Sequence, residues 1–159
     1  RNVFPAAMTG FSAMSSLAAL PLSLKAARAN TDNDHLVDAI VPTTVNIHLV
    51  GDSVAIPMMA LALMQSFGMG FPTLDAYLLF SLYFVMNKFA VAAVPGGGIL
   101  VMLPVLSQTL GFTDEMLSLI MMLYILFDAI ITTANIVGNG AFSVIFTKAF
   151  RKFQKIPAV

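Results

Sequence analysis

Two carboxylates, Asp52 and Asp128, stand in long apolar runs of this chain, and one ammonium, Lys88, and one imidazole, His48, share that setting. Ionisable side chains are costly in hydrocarbon and, where kept, mark ion, proton or substrate paths. His48 and Asp52 are four residues apart, which in a regular helix is one face. Such a pair at membrane depth can take up and release a proton near neutral pH, or it can be a structural hydrogen-bonded pair that pins the helix. The surrounding residues repeat. Asn46-Ile47-His48-Leu49-Val50-Gly51-Asp52-Ser53 and Asn135-Ile136-Val137-Gly138-Asn139-Gly140 both place Val-Gly before Asp or Asn, with an Asn upstream. Glycine and polar groups favour local unwinding, which builds midplane substrate and ion sites. Close helix packing through small residues is the other use of such a patch. Ser15 or Ser16 with His48 has the residue types of a hydrolase, but nothing suggests an oxyanion hole or an orienting third group. The chain is therefore read as a non-enzyme without cofactors.

These residues need elements to carry them, and composition says which. Hydrophobic residues make up 58% of the chain and charged residues 10%, against about 25% charged in soluble domains. So little charge cannot cover a water-facing surface, and the expectation is an all-α integral membrane protein. The net charge is zero and no basic stripe suggests nucleic acid. Without cysteine there are no disulfides or sulfur metal sites. The chain opens on Arg1-Asn2 rather than Met and so reads as a piece cut from a longer protein.

The cations set an orientation. Arg1, Lys25, Arg28, Lys148, Arg151, Lys152 and Lys155 flank apolar segments, and only Lys88 lies inside one. The positive-inside rule makes the N-terminal region, the polar loop 30–38 and the C-terminal region cytoplasmic. The loops 66–74 and 113–115 lack cations and read as external. With about 20 residues per crossing, 36–66 and 115–150 each cross once, in opposite directions. Segments 1–29 and 73–112 begin and end on one side, so each reads as a re-entrant hairpin, the second with its tip at 93–98. A simple kinked helix is the alternative for both. The order is hairpin, broken helix, hairpin, broken helix: two repeats of inverted topology.

This ordered set resembles the dicarboxylate/amino acid:cation symporter (glutamate transporter) family. The elements that carry the resemblance are Ser15-Ser16…Leu20-Pro21, His48-Leu49-Val50-Gly51-Asp52, Ala93-Val94-Pro95-Gly96, and Asp128-Ala129-Ile130-Ile131-Thr132-Thr133-Ala134-Asn135-Ile136-Val137-Gly138-Asn139. The resemblance implies the transport core of a secondary transporter that slides against an N-terminal scaffold half in an elevator mechanism, in a homotrimer of the cell membrane (the inner membrane in a prokaryote). It implies that Asp128 holds the substrate amino group, that Thr132 lines the pocket, and that Asn135, Ser15 and Ser16 hold the main carboxylate. The gate would be Ala93, Val94, Pro95, Gly96 and Gly97. Asn46, His48, Asp52, Lys88 and Asn139 would serve ion or proton coupling, with weakened sodium sites near Leu49, Asn135 and Asn139.

Departures from the family pattern shape the expected function. Ile131 stands where carriers of acidic amino acids have an arginine, whose fork grips a second carboxylate. Val50 and Asn139 replace two carboxylates that help ligate sodium, and a hard cation wants oxygen and negative charge. Lys88 either reaches backbone carbonyls and stands in for an ion, or snorkels or pairs with an acid. The expectation is a symporter of neutral amino acids, coupled to Na⁺ or H⁺, with membrane lipid around it. Acidic amino acids or dicarboxylates are the alternative substrates, and an ion channel or a transport-inactive receptor or structural relative the alternative functions.

Overall fold

The computed structural model describes residues 1–154, with side chains through Lys152, so Lys155 of the cationic cluster lies outside the described residues. Among them all regular structure is helical. Helices α1 (Phe4–Ala13) and α2 (Leu20–Arg28) are joined by the turn 14–19. Met14, at φ 48°, ends α1 in the left-handed region, and Pro21 opens α2 where its missing N–H costs nothing. Asn33 caps α3 (Asp34–Thr44) by accepting from the Leu36 N–H at 3.0 Å.

The apolar run then stops being helical at 45–49 and resumes as α4 (Val50–Ser66). Helix α5 (Leu74–Asn87) passes into a 3-10 turn, Lys88–Ala90, and then an irregular tip, 91–96. The return arm is two pieces, α6 (Gly97–Leu100) and α7 (Leu103–Leu110). Helix α8 runs from Asp114 to Gln154, 41 residues without interruption, or about 60 Å. It is the one helix among the described residues long and apolar enough to cross a membrane.

That continuity corrects the expected break at 135–140. The structure unwinds only one of the two similar patches, and the reason lies in what the amides do. Asn135 and Asn139 project sideways from an intact helix into the break at 45–49, where helix ends need partners. Gly138 is a packing residue: a Cβ there would meet Val50 Cβ at 3.1 Å.

Helix α8 is the axis on which α1, α3 and α4 pack. Toward one end, Ile56, Phe80, Ile99, Met102, Leu106, Met116 and Ile120 form the main apolar core. Gly111 and Met69 bring the loops 111–113 and 67–73 together there. At the other end the Asn2 amide donates to Asn30 Oδ1 at 2.9 Å, Arg28 pairs with Asp38 at 2.7 Å and Arg151 with Asp32 at 3.0 Å. The cations flanking α1, α2 and α8 therefore gather on one end. The exposed pairs hold this end together only weakly. The turns 14–19 and 91–96 meet in the middle, where the Ser15 hydroxyl donates to Ala93 O at 2.8 Å.

Helix α4 approaches α8 through Gly51, where an added Cβ would collide with the backbone carbonyl of Ile131. Gly51→Ala is therefore expected to destabilise the protein by about 1–3 kcal/mol. Gly138→Ala should be near neutral, because half-exposed Val50 can shift and alanine favours the helix by up to about 1 kcal/mol. Thermal unfolding of the two variants in detergent checks the order.

Candidate functional site

The helix break creates the site. Where α3 stops and α4 starts, carbonyls and N–H groups lose their helical partners, and in an apolar interior each needs another. Asn139 Nδ2 donates to Val41 O at 3.3 Å, and the Thr44 hydroxyl lies 2.6 Å from Asn139 Oδ1 and 2.7 Å from Ile40 O. On the α4 side, the Gly51 N–H donates to Asn135 Oδ1 at 2.7 Å. The two asparagines of α8 thus hold the two ends of the break.

Asp52 lies in the first turn of α4, where the helix dipole favours a carboxylate, and is 1% exposed. The Tyr124 hydroxyl donates to its Oδ1 at 2.5 Å, and Asn135 Nδ2 donates to Oδ2 at 2.8 Å. Lys88 Nζ stands 3.8 Å from Oδ1. Gly98 makes this packing possible, since a Cβ there would overlap Asp52 and Tyr124. Both oxygens of Asp52 are engaged.

Asp128 differs. The Gly96 N–H of the tip donates to its Oδ2 at 2.8 Å, and the Thr132 hydroxyl to its Oδ1 at 3.0 Å. A carboxylate offers roughly four lone-pair sites, so acceptor capacity remains, and no cationic side chain faces it among the described residues. Gly96 reaches it with φ 72°, in the left-handed region that glycine permits.

Asp52 and Asp128 border one small cavity of about 20 Å³, with Ser16, Thr132 and Asn135 on its walls and Ala93 and Val94 of the tip over it. That is room for about one water. No Lys, Arg or His lines it.

The expected residues divide accordingly. Ser16, Asp128, Thr132 and Asn135 come together with Leu49 at the cavity, whereas Ser15 is engaged by Ala93 O and joins the two turns. Asn46 works beside Ser15, its Oδ1 accepting from the Ala93 N–H at 3.2 Å. Of the gate residues, Ala93, Val94 and Gly96 contact the site, Gly97 begins α6, and Pro95 is exposed. Asn139 lies away from the cavity, at Thr44 and Val41.

The expected His48–Asp52 pair is corrected. The break removes the helical register between them, and His48 instead stacks on Phe142 with ring centroids 4.6 Å apart. Its Nδ1 is buried with no hydrogen-bond partner among the described residues. Lys88 neither snorkels nor binds carbonyls; of its possible roles, pairing with an acid is the one formed. Ile131 lines an apolar groove between α4 and α8 instead of the cavity. Sequence reasoning missed Tyr124 and Thr44. A signal for Tyr124 existed: Tyr124, Asp128, Thr132, Asn135 and Asn139 recur at spacings of three and four, one face of a helix.

A family model described as the Sodium:dicarboxylate symporter family matches residues 1–149. No curated protein matches the chain, and no solved structure does.

Tyr124→Phe strips a donor from a buried carboxylate and is expected to cost about 1–3 kcal/mol. His48→Phe keeps the stack on Phe142 and removes an unpartnered nitrogen, so stability should hold or rise. Parallel thermal melts of the two variants check this, and a large loss in His48→Phe would restore the His48–Asp52 pair.

Proposed function

The chain belongs to the sodium:dicarboxylate symporter family, and on that premise we propose that it is the transport core of a carrier for neutral amino acids. One observation carries the substrate class: the central cavity is bordered by two carboxylates and by no cationic side chain. Asp128 keeps acceptor capacity for a substrate ammonium. The substrate's own carboxylate is left to the Ser16 hydroxyl, the Asn135 amide and the backbone of the turns. A second carboxylate, as in glutamate or a dicarboxylate, finds no arginine fork here. Ile131, at the position where the family's acidic-substrate carriers have arginine, faces the α4–α8 groove.

In this proposal α1–α2 and α5–α7 are re-entrant hairpins that enter from opposite faces and meet at midplane through Ser15, Ala93 and Asn46. The inverted repeat is one of hairpin plus long helix, with only the first long helix broken. The tip 91–96 is the gate, because its Gly96 N–H closes directly on Asp128 and closure excludes water from the site. The core rides as an elevator against a scaffold half of the same protein, in a trimer of the cell membrane, with its cationic end cytoplasmic. Its coupling has moved from Na⁺ toward H⁺, since Val50 offers no ligand and the Asn135 and Asn139 oxygens are engaged within the fold.

Uptake by the full-length protein in proteoliposomes tests the proposal. Neutral amino acids should be taken up saturably and should respond to an imposed pH gradient. Saturable glutamate uptake overturns the substrate class, and strict sodium dependence without a pH response overturns the coupling. Asp128→Asn should weaken apparent substrate affinity by about 30-fold or more, the loss expected for one partner of a buried charge pair.

A further inference from the structure

Lys88 is the only buried Lys or Arg among the described residues. It stands at the foot of the gate tip, in the 3-10 turn after α5, and its ammonium points across to α4. Nζ lies 3.8 Å from Asp52 Oδ1 and 4.4 Å from the centroid of the Phe84 ring, and it has no hydrogen-bond partner among the described residues. A lysine placed for hydrogen bonding would have its three donors filled. This one is held by a carboxylate and the face of a ring, interactions that need only its charge.

Asp52 explains why charge is needed there. Its carboxylate sits at the first turn of α4, beside an unwound segment, where half-helix ends and exposed carbonyls provide the usual setting for a coupling cation. Tyr124 and Asn135 donate neutral hydrogen bonds to it, and neither brings a positive charge. Without a counter-charge, a buried carboxylate is strongly unfavourable.

We infer that Lys88 is a tethered counter-cation, filling from within the chain the charge position at Asp52 that a bound metal cation would otherwise fill. Lys88 thereby sets ion coupling: Asp52 recruits no mobile metal ion, and Asp128 is the one cavity carboxylate left for a mobile positive charge. Because Lys88 belongs to the gate hairpin and Asp52 to α4, the same pair ties the gate's foot to the broken helix. The inference rests on the carrier reading for its meaning, but its test does not depend on transport.

The test compares melting temperatures of the purified full-length protein in sodium chloride and in choline chloride at equal ionic strength. Wild type should respond to sodium no more than the Lys88→Met/Asp52→Asn double variant does. Lys88→Met alone leaves Asp52 unpaired and should melt about 5 °C higher in sodium than in choline, as a newly bound ion stabilises the fold. Lys88→Arg keeps the charge and should show no such difference. Equal melting of Lys88→Met in the two salts overturns the inference, as does a sodium response in wild type that the double variant lacks. If Lys88→Met folds in neither salt, the same two-salt comparison is made on Lys88→Gln, and equal melting there overturns the inference. Absence of amino-acid uptake would overturn the carrier reading and leave these melting results standing.

Discussion

A helix cut in two inside an apolar fold leaves carbonyls and N–H groups that must find partners, and most of this structure follows from where they find them. The break at 45–49 is stapled from the side by α8, with Asn139 at the end of α3 and Asn135 at the start of α4. Neutral amides suit this task, since each offers an acceptor and a donor in one rigid group. Asn135 uses both, accepting from Gly51 and donating to Asp52. The staple requires α4 to lie close to α8, and Gly51 allows it by leaving room for the Ile131 carbonyl. It also requires α8 to stay intact, because only a regular helix presents both amides on one face.

The two carboxylates divide the labour that this geometry makes available. Asp52 accepts from Tyr124 and Asn135 and has Lys88 as its counter-charge. Asp128 accepts from Gly96 of the tip 91–96 and from Thr132 on its own helix. The difference lies in their neighbours and not in their depth, since both are buried. Asp52 already has a counter-charge, whereas Asp128, on the same cavity, faces no cationic side chain among the described residues. The segment 88–96 touches both carboxylates. Gly96 contacts Asp128 directly, and Lys88, a few residues earlier, contacts Asp52.

Apolar packing sets the limits of motion around this centre. The core of Ile56, Phe80, Met102, Leu106 and Met116 fixes α4, α5, α7 and α8 to one another toward one end. The two turns that meet at Ala93 are held mainly by single hydrogen bonds from Ser15 and Asn46. Each such bond is worth about 1 kcal/mol net. A third bond, from the Gly96 N–H to Asp128, ties the tip to α8.

Composition pointed to a membrane protein, because a sequence this poor in charge cannot cover a water-facing surface, and its long apolar runs pointed to helices. The order of motifs pointed to the family, and Asp52, Lys88 and Asp128 stood out as ionisable groups in apolar sequence. What the sequence could not decide was partnership. The patches 46–53 and 135–140 look alike in one dimension, yet one unwinds and the other holds it unwound. His48 and Asp52 are neighbours only if the helix is regular, and the break takes that register away. Lys88 lies 36 residues from Asp52 along the chain and 3.8 Å away in space. Tyr124 advertised itself only as one more member of a helical stripe. Local spacing constrains contacts within a helix, but a buried polar group is satisfied by whichever neighbour the packing of separate helices brings to it, and that is settled only in three dimensions.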